Sequence, residues 1–150
     1  GYNPKIILSG RSINDNMSNY VVKELLLAMR NKKIKIKKAK ILIMGFSFKE
    51  NCPDIRNTKV YDVYKKLKKN NCIVDIYDPW VDPYESANQY DINLIKKLNK
   101  PNNYDAIILT VKHKCFRDMG IKKIRNLGKK IHILFDLKYI FPRSSVDIRL

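Results

Sequence analysis

The densest concentration of chemically competent side chains is the stretch Gly45–Arg56, GFSFKENCPDIR. It offers an apolar ring (Phe48), an amine (Lys49), a thiol (Cys52), a carboxylate (Asp54) and a guanidinium (Arg56). Asn57 and Thr58 follow as candidate helix caps, and cations beside a helix N-terminus suit a phosphate-bearing ligand. Position alone leaves a second reading open. In that reading Lys49 and Arg56 are surface charges, and Asp54 merely pairs with one of them. Gly45 is the only glycine in the stretch, so the G-x-G-x-x-G turn that lets backbone approach a dinucleotide pyrophosphate is absent. Asp78 lies where a ribose-binding acid would lie, although Asp78-Pro79 reads more simply as a turn.

Other reactive constellations are sparse. His113 and His132 are the two histidines. Neither has a Ser, Cys or carboxylate at a telling spacing, which favours structural or surface roles for both. Cys52, Cys72 and Cys115 are odd in number and lack metal-ligand spacing, so reduced thiols and no bound metal are expected.

The elements that must position these groups follow from apolar periodicity. Asp15–Arg30 carries Met17, Tyr20, Val21, Leu25 and Ala28 on a helical stripe. The basic run Asn31–Lys38 then reads as a hinge or helix tail. Short apolar runs at 41–44, 72–77, 105–110 and 131–135 predict four strands. Between them, helices are expected from Asn57 or Thr58 through Leu67, near 92–98, and around 116–126, with a loop at 80–88. Strands apolar on both faces, alternating with helices, indicate a parallel sheet covered on both sides. The predicted fold is α/β: a Rossmann-like parallel sheet flanked by helices, preceded by one long N-terminal helix. In such a sheet ligands bind beyond the carboxyl ends of the strands, where Gly45–Arg56 falls.

The net charge of +17 raises the question of nucleic acid. Lys outnumbers Arg by 24 to 7, however, and the chain holds 20 Ile and 15 Asn. Those three residues share A/T-rich codons, whereas base readout and bidentate phosphate grip favour Arg. A solvated face is the expected role of most of this charge. No run approaches the ~20 apolar residues of a membrane span. The first residues lack a secretory signal, and a start other than Met suggests an excised fragment.

Gly45–Thr58 closely resembles the F-K-x-x-x-x-D-x-R signature of the C-terminal domain of the UDP-glucose/GDP-mannose dehydrogenase family. Gly10–Met17, GRSINDNM, resembles the G-R-x-I-N-D-x-M that opens that family's interdomain helix. Tyr77–Pro83, Tyr104-Asp105-Ala106 and Phe135–Lys138 fall in the family's order, so the likeness covers nearly the whole chain. It implies a division into residues 1–38, the end of a central helical domain with the interdomain helix, and 39–150, a Rossmann-like nucleotide-sugar-binding domain.

The family's enzymes oxidise a sugar's C6 alcohol twice with NAD, through a cysteine in a G-G-x-C-x-x-x-D motif that this chain does not contain. Cys52 lies in a different motif and does not inherit that role. The resemblance therefore implies no catalytic residue in this piece, which should be inactive alone. It implies Phe48, Lys49 and Lys138 as contacts to a UDP-sugar and Arg56 as a contact to NAD, with NAD held mainly by another domain. Asp54 orients Lys49 or Arg56, and Arg11 has no assigned contact. At Lys138 some relatives carry Arg. The wording NCPDIRNT with DPWVDP resembles the branch acting on UDP-N-acetylhexosamines, Vi-antigen-type enzymes included, which serves capsule or O-antigen synthesis. Expected partners are the chain's own N-terminal and central domains and a second copy in a homodimer, in the bacterial cytoplasm. Val21 and Leu25 are expected to pack on the central domain; lacking it, their stripe would self-associate or leave a disordered segment before Lys33. The rival readings are a stand-alone nucleotide-sugar-binding or dimerisation module and a basic nucleic-acid binder.

Overall fold

The computed structural model describes residues 5–98 and 100–150, with side chains from residue 16 onward. The elements are α1 (Lys5–Asn31), β1 (Lys40–Met44), α2 (Val60–Lys69), β2 (Ile73–Tyr77), α3 (Pro83–Tyr90) and β3 (Tyr104–Leu109). They continue with α4 (Lys114–Met119), α5 (Ile121–Leu127), β4 (Gly128–Asp136), a 3₁₀ turn (Arg143–Ser145) and β5 (Ile148–Arg149). All strand pairs are parallel, in the order β2-β1-β3-β4-β5. The Rossmann-like expectation is met.

Side chains alternate between the two faces of a strand, so each central strand feeds two cores. Ile41, Ile43, Ala106, Ile108 and Phe135 pack on one face, under α1 and α2. Leu42, Met44, Ile107, Leu109 and Leu134 pack on the other, with Phe116, Ile124 and Leu127 of α4 and α5. Gly120, at φ +82°, separates α4 from α5 where one helical stretch was expected.

Three expectations are corrected. Residues 80–88 are not all loop, and 92–98 is not a helix. The Asp82 carboxylate accepts the Tyr84 amide at 2.8 Å and Pro83 fills the first helical position, so α3 starts there. Asp91 ends it in the left-handed region at φ 54°. Ile92 and Leu94 are then buried at alternate positions, and the Ile95 amide donates to the Ile76 carbonyl, as an extended segment would. Second, α1 begins at Lys5 rather than Asp15, and α2 begins at Val60 with no side-chain cap on Lys59. Third, Val21 and Leu25 are not a surface awaiting another domain. With Val22, Leu26 and Met29 they are buried in the chain's own core, while Met17, Tyr20 and Leu27 face outward. Arg11 and the rest of the Gly10–Met17 motif up to Asp15 lie outside the described side chains.

The far edge of the sheet carries β5, which the sequence pattern did not reveal. Asp147, just before it, accepts from Lys32 Nζ at 2.7 Å, Arg125 Nη1 at 2.7 Å and the Leu134 amide at 2.8 Å. Partial burial pushes the Asp147 carboxyl up, but these donors outweigh it and hold it below the usual range.

Candidate functional site

Chain crossovers leave β1 in opposite directions, toward β2 and, from β2, back to β3. The carboxyl ends of β1 and β3 therefore form the topological switch point where open α/β sheets take ligands. A cavity of about 360 Å³ opens there. Ser47 and Phe48 come from the loop after β1, Thr110 follows β3, and Leu137 and Lys138 follow β4; Met17 and Val21 of α1 form a wall. A wider groove of about 580 Å³ between α1 and α2 holds Lys23, Lys65, Lys66 and Lys69, away from the strand ends.

The loop after β1 is built from its start. Gly45 has φ +107°, and a Cβ there would sit 2.6 Å from the Val111 Cβ, so only glycine lets the chain turn this close to the segment after β3. The next two amides, Phe46 and Ser47, donate to Asp78 Oδ2 at 2.7 and 2.9 Å. Asp78 Oδ1 accepts the Trp80 amide at 2.9 Å. Asp78 is thus neither a ribose ligand nor only a turn residue. Its carboxylate fills the amide-lined turn that a phosphate would occupy in a dinucleotide-binding sheet.

His113 completes this buried arrangement, its side chain and that of Asp78 both fully covered. Its Nδ1 accepts the Asn51 amide at 2.9 Å, which places the ring proton on Nε2. Nε2 then donates to Asp78 Oδ2 at 3.0 Å. Ser47 Oγ stands 3.2 Å from the same nitrogen and donates to the Lys49 carbonyl at 3.0 Å. Ser, His and Asp meet here, but a nucleophilic triad needs hydroxyl and carboxylate on opposite ring nitrogens. Here both lie at Nε2, so the cluster is structural. Desolvation pushes the Asp78 carboxyl up, yet His113 and the Phe46 and Ser47 amides together hold it below its ordinary value.

Farther along, the Phe48 amide donates to the Asp54 carbonyl at 2.7 Å and closes the loop. Asn51, at φ 51°, accepts the Lys114 amide through Oδ1 at 3.0 Å. Ile55 is buried, and Tyr90 donates from its hydroxyl to the Ile55 carbonyl at 2.7 Å while its ring meets Phe46 edge-on. Both ends of the loop are therefore anchored and its tip projects. Phe48 is 61% exposed, and Lys49 is exposed beside it.

Asp54 takes Arg56 Nε and Nη2 on its two oxygens at 3.0 and 2.9 Å. This hydrogen-bonded guanidinium, with the Arg56 amide, pulls the Asp54 carboxyl down to about 2 and raises Arg56. Lys138 sits on a turn held by the buried Asp136, which accepts the Lys138 and Phe141 amides at 3.0 Å each. The cavity thus unites Phe48 and Lys138; Lys49 is next to it, and the Asp54–Arg56 pair lies outside its lining. Thr58 and Lys59 also line it, although sequence reasoning did not single out Lys59. Its signal was a cation just ahead of α2. Of the structural or surface roles expected for His113, the structure shows the structural one, with Asn51 and Asp78 as partners that no local spacing indicated. Among the described residues no group of three His, Cys, Asp or Glu could hold a metal ion, and no helix is long and apolar enough to cross a membrane.

The profile of the UDP-glucose/GDP-mannose dehydrogenase family, UDP binding domain, matches residues 42–143. The chain belongs to this family. It is 51% identical over 150 residues to UDP-N-acetyl-D-glucosamine 6-dehydrogenase of Salmonella typhi, covering 100% of this chain and 35% of that protein. It is 46% identical to the enzyme of the same name from Pseudomonas aeruginosa, again over 100% of this chain and 35% of that protein. Protein CapL of Staphylococcus aureus is 33% identical over 99% of this chain and 34% of its own length. The chain thus spans about a third of the curated relatives it matches. Its fold is similar to that of the NDP-N-acetyl-D-galactosaminuronic acid dehydrogenase of Methanosarcina mazei Go1, with a TM-score of 0.82 at 19% identity, over 97% of this chain and 30% of that one.

Proposed function

We propose that this chain is the nucleotide-sugar-binding part of an NAD-dependent dehydrogenase that oxidises a UDP-N-acetylhexosamine at C6 to its uronic acid. The observation that carries the reading is its 51% identity, along its whole length, to a UDP-N-acetyl-D-glucosamine 6-dehydrogenase. The cavity at the switch point supports it, with an exposed ring at Phe48 and cations at Lys138 and Lys59. Phe48 would lie against the nucleotide, and Lys49 and Lys138 would meet its phosphate or sugar oxygens.

NAD would accept hydride from the sugar when bound. The residues of this chain fit a secondary part in holding it. The amides of Phe46 and Ser47 are taken by Asp78, so the turn after β1 offers no backbone seat for a dinucleotide pyrophosphate. The exposed Arg56, outside the cavity, fits a contact to cofactor phosphates held by a separate domain. Asp54 keeps that guanidinium oriented. The remaining parts of this reading are the chain's own N-terminal and central domains as neighbours, a homodimeric enzyme, a cytoplasmic site and a role in capsule or O-antigen synthesis.

Calorimetric titration with UDP and with UDP-N-acetylglucosamine tests the binding role. Saturable binding of both is expected, weakened by Phe48→Ala or Lys138→Ala. Absence of UDP binding, or binding in both variants as tight as in the unaltered chain, would remove the basis for it.

A further inference from the structure

We infer that Asp78 and His113 are positioning residues: an internal anion and its imidazole clamp that set the geometry in which the loop after β1 presents Phe48 and Lys49 to ligand. The inference deepens the binding role proposed above and rests on it.

Three observations support it. Consecutive amides at Phe46 and Ser47 converge on one carboxylate oxygen, the pattern by which backbone nests hold anions. That oxygen comes from the residue just after β2, so the turn that Gly45 permits is held in place by the end of the neighbouring strand. His113, from the segment after β3, then joins the same oxygen to the Asn51 amide halfway around the loop. Three strand ends are thereby tied to one loop through a fully buried pair.

Beyond the Phe48 amide on the Asp54 carbonyl and the Lys114 amide on Asn51, the loop has little to set its shape at the tip. Phe48 and Lys49 are exposed, and between Phe46 and Ile55 no side chain is buried except Ser47. Ser47 is part of the same cluster, contacting His113 and donating to the Lys49 carbonyl. The backbone of Lys49 is therefore connected to Asp78 by two hydrogen-bonded steps. Neither Asp78 nor His113 lines the cavity, so any effect on ligand must pass through the loop.

The experiment uses UDP as probe and the 150-residue chain. Nitrogen-15 spectra of the imidazole come first: a ring protonated on Nε2 is expected, and a proton on Nδ1 would abolish the clamp to Asn51 and overturn the inference. Asp78→Ala should weaken UDP binding about tenfold or more, the effect of losing a charged hydrogen-bond partner. Added formate, a carboxylate small enough for the vacated space, should restore most of that affinity and leave the unaltered chain unchanged. A merely structural Asp78 would let formate recover thermal stability without recovering affinity, and that result would overturn positioning.

His113→Phe retains ring packing against Phe116 but loses the bonds to Asn51, Asp78 and Ser47. Asn51→Gly is the control: it keeps the positive φ and the amide donor to His113 while releasing Lys114. His113→Phe should weaken UDP binding severalfold and Asn51→Gly should leave it nearly unchanged. Unchanged affinity in His113→Phe, or an equal loss in Asn51→Gly, with Phe48→Ala and Lys49→Ala impaired, overturns positioning alone. Unchanged affinity in Phe48→Ala and Lys49→Ala overturns the binding role, and positioning with it.

Discussion

Asp54 holds Arg56, two residues on, through both carboxylate oxygens at 2.9 and 3.0 Å, and accepts the Arg56 amide as well. Because Asp54 titrates at about 2, below its ordinary 3.8, the pair is intact throughout the neutral range. Its contribution to stability is present above the ordinary carboxylate pKa and disappears as pH falls through about 2. Carbon-13 titration should place the Asp54 midpoint near 2, and Arg56→Ala should move it up toward 3.8. An unmoved midpoint would show that the guanidinium is not the cause.

The two cations of this loop are predicted to serve different ligands in the complete enzyme. Lys49→Ala should weaken the nucleotide sugar, and Arg56→Ala should chiefly raise the KM for NAD. Hydrogen bonds to charged groups contribute about 1.5–3 kcal/mol, so each loss should be roughly ten- to a hundredfold. Titrating each substrate with the other saturating separates them. Ordinary surface charges would change neither constant by more than ~0.5 kcal/mol, and equal losses toward both ligands would indicate collapse of the loop.

Gly45→Ala should be costly even though the change adds one methyl. The residue sits at φ +107° with Val111 side-chain and backbone atoms within 2.9 Å of the added carbon. Strained backbone of this kind costs of order 1–3 kcal/mol before the clash is counted. Chemical denaturation should show that loss, accompanied by weaker UDP binding. Wild-type stability in Gly45→Ala would mean the turn can relax away from Val111.

Two leucines on one helix provide a further contrast. Leu25 is fully buried and Leu27 is 46% exposed. Leu25→Ala should cost about 2–5 kcal/mol, as for other buried leucines, whereas Leu27→Ala should stay within ~0.5 kcal/mol. Comparable losses at the two positions in urea melts would mean that α1 is covered by something other than this sheet.

Much of this architecture was legible because parallel strands announce themselves as short runs apolar on both faces, such as Ile41–Met44 and Ala106–Leu109. The loop that carries Phe48, Lys49, Asp54 and Arg56 stood out too as one recognisable stretch, although of these four Phe48 alone lines the cavity. Periodicity also identified Val21 and Leu25 as a buried face, but it carries no information about which surface does the burying. Helix α3 escaped because PYESANQY has almost no apolar stripe and relies on the Asp82 cap, whereas Ile92 and Leu94 supplied apolar residues to an extended segment. The Asp78–His113 pair spans 35 residues and is made only when two crossovers bring the ends of β2 and β3 beside β1. No local spacing encodes such a meeting.

The last strand pairs through only Phe135–Ile148 and Asp136–Arg149, too short a ladder to hold an edge by backbone bonding alone. Asp147 adds to it, gripping Lys32 at the tail of α1 and Arg125 on α5, while Arg149 stacks on the Tyr139 ring. One carboxylate thus closes a ring through a helix from each face of the sheet. In a chain with a net charge of +17, it also brings together cationic segments that would otherwise repel. The hem of this sheet is therefore stitched partly by charge, and because the Lys32 stitch is partly open to water, rising ionic strength loosens that stitch.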